Sequence, residues 1–250
     1  MKTKEAPAKT GGKKDNVKKI RIASEAAYLP TIILIAFSVA LTAAADLGVS
    51  MIVAPAYILS LKFDFLSFGT AEYIVQGVLF VVFCLIMKKV KLTYFTSFVT
   101  GLIYGAVLDL WRTLVPFLRQ EEVGASPLPV RIVYLVVGMT LTSFCVALFF
   151  RIYIYPQVYD FFVKGLIEIK KIPTRRLKTG FDMCCLGVAL ILSFVLFGGL
   201  RGIGWGTAAM TLFNGTLIAL FEKFLDRFFI FEPKFKKFAK AFDLQQTEAR

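Results

Sequence analysis

Six apolar runs, near residues 29–48, 70–87, 95–117, 131–150, 181–199 and 205–222, constrain this chain more than any motif it carries. Coiled as helices, they are long enough to cross a hydrocarbon core about 30 Å thick, which takes roughly 20 residues. Backbone in lipid must satisfy its own hydrogen bonds, so only helices or a closed barrel can span, and runs of this length select helices. Composition agrees. Of 250 residues, 57% are hydrophobic and 19% charged, with a mean hydropathy of +0.70; a soluble domain would carry about a quarter charged residues. The expected class is a polytopic helical membrane protein.

Lysine and arginine alternate between the connecting segments. The tail to Arg21 carries eight, the 88–91 turn three, the 151–178 segment seven and the part from Lys223 seven. The intervening loops hold only Lys62, then Arg112, Arg119 and Arg131, then Arg201. Basic residues resist translocation and favour anionic lipid, so both termini are predicted cytoplasmic. This bias accounts for the net charge of +13, and no nucleic-acid partner is read from it. The stretch Leu29–Leu41 before Ala43-Ala44-Ala45 superficially resembles a signal peptide. Its leading region is long for one, and cleavage would leave too few spans for the pattern described next.

A duplication lies beneath the hydropathy. Glu72-x4-Gly77-Val78 opens one run, and Asp182-x4-Gly187-Val188 opens another 110 residues later; the same offset sets Gly105 on Gly215. An offset of 101 pairs Pro55-Ala-Tyr57 with Pro156-Gln-Val158. Each repeat holds three runs, and an odd number forces the second copy to enter the bilayer upside down. Inverted repeats with acids at helix starts are a signature of many small membrane transporters. The expected division is a basic disordered cytoplasmic tail (1–24), a first three-helix repeat (25–120), an external linker (121–130), a second repeat (131–230) and a basic cytoplasmic tail (231–250). Segments 49–68 and 153–172 are too apolar for ordinary loops and too short or interrupted to cross. Each reads as an interfacial or re-entrant element. The fold expected is all-α, with six transmembrane helices as two inverted three-helix repeats, each with one such element.

Asp46-Leu-Gly-Val-Ser50, Pro55, Ser67-Phe-Gly-Thr70 with Gln76-Gly77, and Gly101-x3-Gly105-x3-Asp109 resemble the YitT/YczE-type bacterial membrane proteins. Gly204-Trp-Gly-Thr207 and Gly215 resemble the late Gly-Thr helix of that group. The likeness covers roughly residues 29–222 and is closer to the YczE-like branch. The chain ends before the soluble C-terminal domain that YitT proteins commonly carry, and Met51 stands where the usual pattern has proline. The resemblance implies a compact bacterial inner-membrane protein, not a reaction.

An ionised carboxylate facing lipid at mid-membrane costs about 2.5–3.5 kcal/mol on insertion scales, so acids in spans turn inward or pair. Asp46 ends the first span, Glu72 begins the second, and Asp109 lies in the outer third of the third, with Arg112 on the same helical face. Three acids with an arginine suit a cation or a zwitterion. The competing reading is capping and interfacial charge; the helix dipole explains Glu72 without a function, whereas no cap explains Asp109. Asp182, the partner of Glu72 by the repeat, is expected near the cytoplasmic end of the fifth span. There it is either the inner station of one pathway or a plain N-terminal helix acid. Asn214, inside the sixth span, can hydrogen-bond across helices or coordinate a solute. Gly77, Gly101, Gly105, Gly187 and Gly215 are read as helix-packing positions, since small residues let helices approach where lipid supplies no hydrophobic drive.

The chain has no histidine, and Cys84, Cys145, Cys184 and Cys185 match no zinc framework, so no metal and no cofactor are expected. The leading function is a transporter or permease for a small solute, a cation among the candidates. The alternative is a membrane-embedded substrate-binding or regulatory subunit of a larger complex, without transport of its own. An enzyme ranks last, because no catalytic motif is present. Partners expected are the lipid bilayer, the solute, and a homodimer mate or an energising subunit.

Overall fold

The computed structural model describes residues 19–87, 94–119, 122–170, 174–235 and 239. A strand β1 (Ile20–Ala23) is followed by helices α1 (Ser24–Ala44), α2 (Ala54–Lys62), α3 (Phe68–Met87), α4 (Phe95–Leu114), α5 (Leu128–Arg151), α6 (Val158–Lys170), α7 (Thr174–Phe197) and α8 (Trp205–Phe228), then a strand β2 (Phe229–Glu232). The six apolar runs thus become the six long helices, and the two segments that were too short to cross contain α2 and α6. Among the described residues, five helices are long and apolar enough to span a membrane, namely α1, α3, α5, α7 and α8. α4 equals α3 in length at 20 residues, but Thr96, Ser97, Thr100, Asp109, Arg112 and Thr113 dilute its apolar character. Among the described residues, helices meeting both criteria therefore number five, where six were expected.

α1 lies at the centre, buried on every side from Ser38 to Ala45. Its small residues there (Ser38, Ala40, Thr42, Ala43, Ala44, Ala45) admit close neighbours. α5 runs antiparallel along it. Tyr28 meets Phe149 edge-on at one end, with ring centroids 6.4 Å apart. Ser38 and Thr142 share a hydroxyl hydrogen bond of 2.8 Å midway, and Arg131 donates to the carbonyls of Ala45 and Asp46 at the other end. Gly138 permits this approach, since a Cβ on it would lie 2.9 Å from the Ser38 carbonyl oxygen.

β1 and β2 pair in parallel, Ile20 opposite Phe229 through Ala23 opposite Glu232. This ladder puts the start of α1 and the end of α8 at one end of the bundle. It is also the departure, among the described residues, from an all-helical fold. The disordered tail expected to reach residue 24 gives way to structure at Ile20, because Ile20 and Ile22 find a β-prone partner in Phe229-Ile230-Phe231. Residues 1–18 lie outside the described residues. Glu25 fastens the same end, accepting the Tyr153 hydroxyl at 2.7 Å and the backbone N–H groups of Lys234 and Phe235 at 3.1 and 3.0 Å. Arg151 binds Asp226 through two 2.7 Å hydrogen bonds and Glu222 through one of 3.1 Å, clamping the end of α5 to α8.

The loops after α1 and α5 dock at opposite ends. At the far end, Val49 donates its N–H to Gly202 (3.1 Å), Gly206 donates to Leu47 (2.6 Å), and the Thr207 hydroxyl donates to the Val49 carbonyl (2.7 Å). At the ladder end the Thr100 hydroxyl, on α4, donates to the Tyr155 carbonyl (3.2 Å). An aromatic cluster of Phe83, Tyr94, Tyr155 and Phe161 seals that contact, with neighbouring centroids 4.7–6.5 Å apart. α2 packs on α3 and α7; α6 packs on α3, α7 and α4.

Candidate functional site

α3 begins at Phe68, so Glu72 is its fifth residue and not a first-turn acid. One turn into the helix it faces inward and is fully buried, at 0% exposure. Gln76 follows four residues later on the same face and is equally buried. Both point at the start of α6. The Glu72 Oε2 accepts the Tyr159 hydroxyl at 3.1 Å and, more weakly, the Gln76 carboxamide N–H at 3.4 Å. The Gln76 oxygen accepts the backbone N–H of Val158 at 3.3 Å, which satisfies one of the unpaired donors at the N-terminus of α6 and orients the amide. Its nitrogen then also reaches Gln157 Oε1, at 3.5 Å.

Two atoms are left over. Glu72 Oε1 and Gln157 Nε2 are buried and have no hydrogen-bond partner. Buried polar groups are almost always paired, because an unpaired one loses its hydration without recompense. Here one orphan is an acceptor and the other a donor, and they belong to one connected network. Space for that network is made by Gly101 on α4, where a Cβ would overlap the Gln76 side-chain oxygen. Gly101, Tyr104, Gly105, Leu108 and Arg112 form the buried face of α4, at the three- and four-residue spacing of a helix face.

The other acids serve different places. Asp109 accepts the Gly69 N–H on Oδ1 (2.7 Å) and the Ser67 hydroxyl on Oδ2 (2.5 Å). It thus caps the first turn of α3 from α4, a cap supplied across forty residues of chain and invisible in local spacing. Arg112 donates to the Leu118 carbonyl at 3.2 Å and lies over the Phe68 ring. Asp46, at a left-handed φ of 49°, ends α1 and binds Arg131 at 3.2 Å. Asp182 lies two turns into α7, half-buried. Asn214 accepts the Ser143 hydroxyl at 3.3 Å, linking α8 to α5. Asp46 and Asp109 take their partners elsewhere, from Arg131 and from Gly69 and Ser67, and among the described residues Glu72 Oε2 meets Tyr159 and Gln76. Gly105 and Gly69 face each other across α3 and α4, and Gly77 lies against Phe98; around Gly187 and Gly215 a Cβ would meet nothing within 4 Å.

Replacing Asp109 by alanine is expected to lower the unfolding free energy by about 1–2 kcal/mol, the usual size of a lost cap. Asp109→Asn should lose less than half as much, since its amide oxygen still accepts from Gly69. Reversible unfolding in mild detergent measures both. An Asn variant as damaged as the Ala one would mean that the negative charge, not the cap, is what α3 requires.

Gln157 and Tyr159 escaped the sequence reading as site residues. The available signal was a glutamine between Pro156 and Val158 in the uncharged, mainly aromatic and aliphatic run 152–159. Residues 22–223 match a family described as of unknown function, DUF6198. No curated protein and no solved structure matches the chain.

Proposed function

The chain belongs to DUF6198, and we propose that it is a membrane permease for a small solute, exposing a polar site around Glu72 alternately to the two sides. The observation that carries this reading is a sealed carboxyl with an unpartnered oxygen where α3, from the first half of the chain, meets α6, from the second. Such an acid inside a membrane protein marks a solute or ion pathway by default.

The chain's internal symmetry supports the same reading. A long, a short and two long helices follow one another twice. α1 and α5 run in opposite directions, the loop after α1 docks on α8 at one end, and the loop after α5 docks on α4 at the other. An exchange of this kind is what two inverted three-helix repeats would produce. With α4 counted as a sixth crossing beside the five more apolar helices, the ladder at one end and the Lys/Arg bias favour cytoplasmic termini in a bacterial inner membrane. The likeness to the YitT/YczE group belongs to the same proposal.

One asymmetry favours the alternative, a substrate-capturing subunit. α3 and α4 pack tightly, while among the described residues α7 and α8 have no comparable mutual interface and present exposed apolar residues, Trp205 at 88% among them. Copurification with an ATPase or a second membrane chain would speak for that reading.

The test is uptake by liposomes containing the purified protein, using labelled cations, amines and amino acids, beside a folded Glu72→Gln variant. One class should enter, and the variant should lose roughly tenfold or more of that flux, equivalent to about 1.4 kcal/mol. If folded protein moves none of them above empty liposomes, permease activity is discarded in favour of the subunit.

A further inference from the structure

We infer that the solute held at Glu72 carries an amino group beside an oxygen acceptor, as in a small α-amino acid or its amide. This rests on the Glu72 site being the solute site, and takes its class from the two orphaned atoms. Glu72 Oε1 is an acceptor when the carboxyl is ionised and then asks for a donor, best a positively charged one that takes the place of its proton. Gln157 Nε2 is a donor and asks for an acceptor. The rest of the network leaves these two atoms for a solute: Oε2 of Glu72 is occupied by Tyr159 and Gln76, and Oε1 of Gln157 faces Gln76.

A bare amine satisfies Glu72 and leaves the Gln157 N–H unpaired; a ketone, which accepts but cannot donate, does the reverse. Sites that pair a buried polar group discriminate strongly against the analogue lacking it. A solute with both groups satisfies both atoms. Its oxygen would lie beside the N-terminus of α6, a 13-residue helix that begins at Val158, where the backbone dipole favours negative charge. Enclosure limits size. Glu72 is 0% and Gln157 5% exposed, so the solute must be small and must part α6 from α3 to enter.

Thermal unfolding of the full chain in detergent, followed through Trp111 and Trp205, tests this with four probes: glycine, glycinamide, methylammonium and acetone, which accepts but cannot donate. A ligand that binds only the folded protein raises the melting temperature according to its concentration over Kd. Glycine, glycinamide or both should shift it; the first alone means a carboxylate is read, the second alone a neutral carbonyl. Methylammonium and acetone should need at least about tenfold more ligand for an equal shift. Gln157→Leu should then bind methylammonium as well as it binds the two-group probe, and Glu72→Gln should bind acetone as well as it binds that probe. These exchanges of preference are not produced by a variant that is merely less stable. Methylammonium as effective as glycinamide on the wild-type protein overturns the inference, and so does the absence of a shift with every probe. Binding without liposome flux would refute the permease and leave the solute class standing. Flux confined to a solute without this pair of groups would do the opposite.

Discussion

Gly69→Ala is expected to separate α3 from α4 and to cost this protein about 3–5 kcal/mol, the sum of an overpacked backbone contact and a lost cap. A Cβ at Gly69 would overlap the Gly105 carbonyl oxygen and lie 2.7 Å from the Asp109 carboxyl carbon. In the opposite direction, a Cβ on Gly105 would lie 2.6 Å from the Gly69 oxygen. Flexible side chains can swing away from such an intrusion, but main-chain carbonyls inside two helices cannot. The helices must therefore move apart, and a densely packed interior transmits that shift. Two consequences add to the overpacking. Asp109 is drawn off the Gly69 N–H and the Ser67 hydroxyl, and Gln76 loses its fit against Gly101. Against a total stability of about 5–15 kcal/mol the sum is large, and the variant should melt far below wild type. Gly215→Ala is the control. A methyl there meets nothing within 4 Å, and it should change stability by no more than about 1 kcal/mol, in the favourable direction set by helix propensity. If Gly69→Ala melts within about 2 °C of wild type, the close approach of α3 and α4 does not hold in the folded protein.

Helices were legible in the sequence because apolar length and hydrogen-bond satisfaction in lipid leave few choices, and α2 and α6 were legible as segments too short to cross. Helix ends were not. The last apolar run stops near residue 222, yet α8 continues to Phe228. Glu222, Lys223, Asp226 and Arg227 end the apolarity but are tolerated in a helix, and Arg151 gives Glu222 and Asp226 a partner on α5. Apolarity and helicity are different properties, and hydropathy reports only the first. The two favoured acids diverge for a related reason. Asp109 looked functional because no local cap explains it; its partner is the N-terminus of α3, a tertiary contact. Glu72 looked like a helix-start acid because its run was placed to begin at residue 70. A start at Phe68, and a turn of burial before Gln76, put it in the interior instead. Gln76 was within reach of the four-residue rule, whereas Gln157 and Tyr159 join the site only because α6 packs on α3.

Removing the acid together with its hydroxyl donor should strengthen the fold while abolishing function. Glu72→Leu alone would leave the Tyr159 hydroxyl without the oxygen it now donates to, so the informative protein is the pair Glu72→Leu with Tyr159→Phe. Gln76 keeps its contacts to Val158 and Gln157 in that background. Exchanging a buried polar cluster for apolar residues of similar volume is often neutral or stabilising by about 1–4 kcal/mol, because the desolvation of the acid disappears with it. The orphaned Glu72 oxygen puts this site towards the upper part of that range, since it now contributes an unmet desolvation cost and no hydrogen bond. Solute flux, and any ligand-induced rise in melting temperature, should vanish in the same protein. That combination separates an acid kept for its solute from an acid kept for the fold. A double variant destabilised by more than about 2 kcal/mol would identify the cluster as structural, with Glu72 anchoring α6 to α3 and the permease left without its site.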